Sequence, residues 1–125
     1  MKLLKKFLSL SNTHKGKYTE QLAISYLKTK KFRILAQNYT TKYAEIDIIA
    51  KIKNFLVAIE VKSGTLEIDE LVEKIDKIKR NKMERAILQY REQYQLTHLS
   101  IRFDIIAIQM PQEKIYHFTE EFFDE

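Results

Sequence analysis

The sequence has no cysteine. That excludes disulfides, a thiolate metal site and a cysteine nucleophile. Two glycines and one proline among 125 residues leave little room for long flexible loops. The three histidines, His14, His98 and His117, are scattered, which argues against a zinc site. No apolar stretch approaches the ~20 residues of a membrane span. The start, Met1 to Leu10, is basic and apolar. Its run Phe7-Leu8-Ser9-Leu10 is too short for the core of a secretion signal, and no small-residue cleavage site follows. The expected compartment is the cytoplasm. Repeats, low-complexity segments and linkers are also missing. Hydrophobic content of 45% and charged content of 31% describe a folded, soluble chain. The expectation is one domain over 1–125, with 1–15 as a flexible basic N-terminal segment.

The charge balance is 22 Lys+Arg against 17 Asp+Glu, a formal net charge of +5. An excess of that sign favours a polyanionic partner such as nucleic acid. Its distribution is uneven. Lys2, Lys5, Lys6, Lys15, Lys17, Lys28, Lys30, Lys31 and Arg33 crowd the first third of the chain. Lys74, Lys77, Lys79, Arg80, Lys82 and Arg85 form a second cluster, and the end is acidic. The plain alternative for the second cluster is a solvated helix face with Glu/Lys pairing.

Periodicity gives the elements. Leu22, Ala23, Tyr26 and Leu27 recur at helical spacing within 16–30. Residues 33–39, 43–51 and 54–63 read as strands, and the turn around Lys53-Asn54 suits a hairpin. From Glu67 to about Tyr94 there is no Gly or Pro. Leu71, Ile75, Ile78, Met83, Ala86, Ile87 and Tyr90 give an approximate helical period there, so the segment is one long helix or two joined ones. Residues 100–109 form a fourth strand that Pro111 ends, and Lys114 to Phe118 a short fifth. The order is α-β-β-β-α-β-β. The strand–helix–strand crossover implies parallel pairing in a mixed α/β sheet flanked by helices.

Charges on the apolar strands are the main clue to function. Glu60-Val61-Lys62 closes the run Phe55-Leu56-Val57-Ala58-Ile59, and Glu45-Ile46-Asp47-Ile48-Ile49 lies just upstream. An unpaired buried charge costs several kcal/mol or more, so such a cluster persists if the charges pair or hold a metal. Residues two apart share a strand face. Glu60 and Lys62 therefore point one way and Val61 the other. Glu45 and Asp47 likewise share a face, with Ile46 and Ile48 opposite. In a hairpin Asp47 can lie beside Glu60. Two carboxylates and the Val61 carbonyl would then offer hard oxygen ligands to Mg²⁺, and Lys62 could hold a phosphate or orient the attacking water. The plain alternative is a buried salt bridge of Lys62 with Glu60 or Asp47. On these residues alone both readings stay open.

Several segments in order carry a resemblance. They are Gly16-x-x-x-Glu20-x-x-Ala23, Asn38-Tyr39, Glu45-Ile46-Asp47-Ile48-Ile49-Ala50 and Val57-x-x-Glu60-Val61-Lys62. Lys79, Met83, Ala86 and Tyr90 at helical spacing follow, then Arg102-Phe103-Asp104, and last His117 with Phe122. The chain resembles the restriction-endonuclease-like, or PD-(D/E)-x-K, nuclease superfamily. Within it the chain looks like the small bacterial YraN-like family, which is similar to archaeal Holliday junction resolvases. The resemblance runs from Gly16 to Phe122. It implies Asp47 and Glu60 as metal-binding acids, Lys62 as the catalytic lysine and Glu20 as an additional metal or water ligand. Lys79, or a basic neighbour such as Arg80 or Lys82, would contact phosphate. It implies Mg²⁺ or Mn²⁺ as cofactor, cleavage of DNA phosphodiester bonds, branched or recombining DNA as substrate, and a homodimer.

Two positions depart from the family pattern, and the segment from Thr65 to Asp69 is shorter than usual. Ala44 stands where relatives usually carry Gly, and Gly64 where they usually carry Arg, which removes a phosphate contact. The alternatives are a non-catalytic nucleic-acid- or partner-binding module on the same fold, and an RNA nuclease. For Asn38, Arg102, Asp104 and His117 the plain readings are structural: a strand-end hydrogen bonder, a same-face ion pair, and a lone structural histidine.

Overall fold

A computed structural model describes residues 12–73 and 76–121. The elements are α1 (Asn12–Thr29), β1 (Arg33–Thr40), β2 (Glu45–Ile52), β3 (Phe55–Gly64), α2 (Ile68–Val72), α3 (Lys77–Gln93), β4 (Ser100–Gln109) and β5 (Lys114–Glu121). The expected α-β-β-β-α-β-β order holds, with the helical region present as two helices. The basic segment expected over 1–15 lies outside the described residues as far as Ser11. From Asn12 the backbone is helical.

One open sheet carries the strands in the order β1-β2-β3-β4-β5. β3 and β4 are parallel, and the other neighbours are antiparallel. The hairpin turn is Lys53-Asn54, with Ile52 facing Phe55 and Lys53 at φ 50°. Each face of the sheet is covered by a helix. Ala23, Ile24 and Leu27 of α1 pack with Phe32 on Ile48, Ala50, Val57, Ile59 and Ile106. Met83, Ala86, Ile87 and Tyr90 of α3 pack on Ile49, Leu56, Ala58 and Phe103. Among the described residues no helix is long and apolar enough to cross a membrane.

Local chemistry sets the helix ends. α1 closes with Phe32 N donating to Leu27 O (3.0 Å) and Lys31 N to Lys28 O (3.1 Å). This is the paired bonding of a Schellman motif. Lys31 takes the left-handed position at φ 72°, where glycine is the usual choice. α3 starts on Asp76, whose side chain accepts from Lys79 N at 2.8 Å. That N-cap starts a new helix where the sequence has neither Gly nor Pro. β5 runs to Glu121, past the expected end at Phe118, because β4 offers backbone partners: Asp104 faces Thr119, and Phe103 faces Glu120. Gly64 has its own packing reason. A Cβ there would come within 3.3 Å of Leu71 Cδ2, so the missing side chain lets α2 close on the end of β3.

The α1 face holds a closed polar network. Asp104 is fully buried. Its carboxylate accepts from Arg102 Nε and Nη2, both at 2.9 Å, and lies 2.6 Å from His117 Nε2. The Tyr26 hydroxyl meets His117 Nδ1 at 3.0 Å, and the Arg102 guanidinium lies over the rings of Phe32 and Phe55. The same-face pair expected for Arg102 and Asp104 is present, and His117 completes it. No buried side-chain N or O atom among the described residues lacks a partner. Removing one member of a buried pair strands the other charge. Asp104→Ala is expected to cost roughly 3–5 kcal/mol, read by chemical denaturation. A loss under about 1 kcal/mol, the range of an exposed pair, would show that the network contributes little.

Candidate active site where two strands part

The β2–β3 ladder ends at Ile48 opposite Ile59. One step further on lie Asp47 and Glu60. Here a side chain replaces the main chain: Val61 N donates to Asp47 Oδ2 at 2.9 Å. The alternation expected along β2 breaks at the same place. Ile48 packs in the α1-side core, but Ile46 packs in the α3-side core. On β1 Tyr39 faces Ile46 and Gln37 faces Ile48. Asn38, between them and across from Asp47, sits at φ 52°. A left-handed residue twists the pleat locally, so the period of two does not carry through and Ile46 and Ile48 do not share a face.

The break brings acids from several elements together. Glu60 of β3 is buried and points to the α3 side of the sheet. Lys79 of α3 donates to Glu60 Oε1 at 2.9 Å. Lys62 approaches the same oxygen at 3.4 Å. Glu20 reaches the group from α1, where neighbouring Thr19 meets the Ser63 hydroxyl of β3 at 3.3 Å. Glu20 is bonded by the Asn38 side chain and feels the charges of Glu45 and Glu60. Asp47, Glu60 and Lys79 line one cleft of about 490 Å³, together with Tyr43, Ala44, Glu45, Asp76, Ile78 and Lys82.

The electrostatics are unbalanced at Asp47. Burial, the Glu60 charge and the Glu20 charge push its carboxyl up to about 7, against the Val61 amide and Lys79, which favour the ionised form. Burial also raises the Glu20 carboxyl, and the Glu45 charge adds to it. Burial pushes the Lys62 ammonium below its ordinary range, and the nearby Lys79 charge adds to the fall although Glu60 opposes it. For Lys79 burial works the same way, but the bond to Glu60 overcomes it and holds that ammonium above its usual value. The site thus has one firmly charged lysine on Glu60 and one that gives up its proton more easily. Perturbations of this kind cluster at functional sites.

The structure brings Glu20, Asp47, Glu60, Lys62 and Lys79 together. Lys82 lines the same cleft, while Arg80 is tied to Glu120 of β5. Val61 joins the site through its amide. Lys79 was expected only as a phosphate contact, and sequence reasoning missed its direct bond to Glu60. It also missed Tyr43 and Glu45 as lining residues. Glu45 had a signal, two positions before Asp47, and Tyr43 had none. Ala44 does not need the freedom of glycine, since its φ is not positive.

A divalent metal needs hard oxygen donors, and Asp47 and Glu60 are of that kind. Burial and the Glu60 and Glu20 charges disfavour the ionised form of Asp47 more than the Val61 amide and Lys79 favour it, so a cation beside these two carboxylates would be stabilised and the donor chemistry fits such an ion. Among the described residues no group of three His, Cys, Asp or Glu side chains is gathered closely enough to form a metal site by itself. Two carboxylates and a carbonyl are the set these residues can offer.

The family model described as uncharacterised protein family UPF0102 matches residues 19–108. The chain belongs to the UPF0102 family. A UPF0102 protein of Sulfurihydrogenibium is 37% identical over 114 residues, which cover 90% of this chain and 97% of that one. One from Clostridioides difficile is 33% identical over 90% of this chain and 100% of its own length. One from Thermodesulfovibrio yellowstonii is 41% identical over 86% and 95%. The UPF0102 match takes in Glu20, Asp47, Glu60, Lys62 and Lys79 and stops before His117 and β5.

The raised carboxyl of Asp47 has a consequence for this UPF0102 protein. Between the unfolded value near 4 and the folded value of about 7, the folded state holds a proton that the unfolded state has lost. Stability of the metal-free protein therefore falls as pH rises through that window, by on the order of 4 kcal/mol in full. Asp47→Asn is expected to remove most of that slope and to be as stable as the parent or more so at pH 7.5. Thermal melts in EDTA across pH 4.5–7.5 measure it. A structural salt bridge at Asp47 predicts the reverse, a variant that loses stability at neutral pH.

Proposed function

We propose that this protein is a metal-dependent endonuclease of the restriction-endonuclease-like kind, acting on DNA, with Asp47, Glu60 and Lys62 as its centre. One observation carries the reading. At the parting of β2 and β3, the buried Glu60 and the half-buried Asp47 line one cleft, and Lys62, whose ammonium burial holds below its ordinary range, approaches Glu60 Oε1 at 3.4 Å. The motif order of the superfamily, which the sequence resembles, supports the same centre. Mg²⁺ or Mn²⁺, when bound, supplies Lewis acidity toward the phosphate and lowers the pKa of a water. Asp47, Glu60 and the Val61 carbonyl would hold it, with Glu20 as a further acid whose charge Asp47 feels.

The chain's own residues do the rest. Lys62, with its proton loosened, stands beside Glu60 to orient and help deprotonate the water. Lys79 and Lys82 place positive charge along the cleft wall for the substrate backbone. The similarity of the sequence pattern to Holliday junction resolvases supports branched DNA and a homodimer.

A second reading has its own observation. Lys79 already neutralises Glu60 at 2.9 Å, as it would in a non-catalytic binding module. Purified protein incubated with linear, nicked and four-way-junction DNA separates the two. Cleavage should require Mn²⁺ or Mg²⁺ and stop in EDTA. Lys62→Ala should lose roughly 10²–10⁴-fold in rate while still binding DNA. Cleavage that survives this substitution unchanged would exclude the site. No cleavage of any of the three DNAs with Mn²⁺ would favour the binding module.

A further inference from the structure

Tyr43 sits in the four-residue turn between β1 and β2, next to the carboxylate cleft. The turn is closed from within. Thr41 N donates to Ala44 O at 3.0 Å. The Thr41 hydroxyl accepts from Tyr43 N at 3.0 Å and Ala44 N at 3.2 Å, and donates to Ala44 O at 3.1 Å. The backbone that carries the ring is therefore held in place. The Lys42 ammonium lies 5.2 Å and the Arg85 guanidinium 5.7 Å from the ring centroid. Tyr43 also joins three clefts into one groove. The carboxylate cleft is the first. A second, of about 330 Å³, runs between Lys42, Ile78, Lys82 and Arg85. A third, of about 380 Å³, continues along α3 past Arg85. Among the described residues Lys42, Lys82 and Arg85 take part in no ion pair.

We infer that this groove binds an unpaired nucleic-acid strand, with a base stacked on Tyr43 and phosphates against Lys42, Lys82 and Arg85. A positive groove tracks a backbone, and an aromatic ring within it stacks bases without regard to sequence. A paired duplex keeps its base faces covered, so the ring selects a strand that is free. The groove leads to Asp47 and Glu60. In this respect the inference rests on the nuclease reading and refines it: the DNA that reaches the centre carries a single-stranded segment. The base-stacking and phosphate contacts themselves need no metal and no cleavage.

The test is binding in EDTA, by fluorescence anisotropy, to a labelled oligo(dT), to a blunt two-strand duplex of equal length, and to a duplex with a single-stranded flap. The parent should prefer the oligo(dT) and the flap over the blunt duplex. Tyr43→Ala should weaken the two single-stranded ligands roughly tenfold, the scale of one lost base stack, and leave the duplex almost unchanged. Tyr43→Phe should keep the affinity, which separates stacking from damage to the turn. Arg85→Ala and Lys82→Ala should each lower the log–log salt slope for oligo(dT) by about 0.7. Equal losses on all three ligands, or none for Tyr43→Ala, would overturn the inference. So would an unchanged slope in both lysine and arginine variants. A protein that binds the strand through Tyr43 but never cuts would refute the nuclease reading alone. One that cuts blunt duplex in a Lys62-dependent way and ignores Tyr43 would refute the groove alone.

Discussion

The bond from the Val61 amide to Asp47 Oδ2 is the constraint on which the candidate site depends. A continuing ladder would give that amide a backbone carbonyl of β2 and carry regular pairing past Glu60. Instead the pairing ends at Ile48–Ile59 and a carboxylate takes over as acceptor. The buried donor is still satisfied, as it must be. The strand ends are left apart, and through that opening acids from both layers converge: Glu20 from the α1 side, and Glu60 with its lysines from the α3 side. One amide bond does not offset burial and two neighbouring carboxylates, so the Asp47 carboxyl stays high, at about 7.

Another acid of the same sheet shows what a purely structural solution looks like. Asp104 is fully buried, yet a bidentate arginine and a histidine saturate its oxygens, and two aromatic rings cover the arginine. Nothing about it asks for an additional ligand. Asp47 has one backbone donor and more negative than positive charge around it. The contrast is between a closed network and an open one, and open networks of buried charge are costly unless something else binds there. That difference, more than the presence of acids on strands, is what singles out the β2–β3 parting as the candidate site.

Helix α3 serves both sides of this arrangement. Its residues Met83, Ala86, Ile87 and Tyr90 pack into the core, which fixes the helix against the sheet. The positions offset from them, Lys79, Lys82 and Arg85, form the wall of the groove. Their spacing of three residues keeps them on one side of the helix. The Asp76 cap sets where the helix begins, and with it which turn presents Lys79 to Glu60. The turn at Thr41–Ala44 supplies the opposite wall through Tyr43.

Much of the fold was legible from local rules. Alternation and apolar runs placed β1 to β4 to within a residue or two, Lys53-Asn54 marked the hairpin, and the strand–helix–strand spacing implied the parallel β3–β4 pair. Asp47, Glu60 and Lys62 could be named from the E-x-D and E-x-K patterns, because charges on apolar strands stand out by their cost, whereas Glu20 and Lys79 were implied by the family resemblance. The tertiary structure alone decided where alternation fails. Ile46 and Ile48 leave their common face because Asn38, on a neighbouring strand, twists the pleat, and no pattern within β2 records that. It also decided that Lys79 and not only Lys62 holds Glu60, that β5 runs on to Glu121 along the open edge of β4, and that Tyr43 faces the groove. Periodicity is a property of one segment. Which amide a carboxylate caps and which lysine reaches it depend on chain packed from far along the sequence, and only the assembled fold brings those partners within reach.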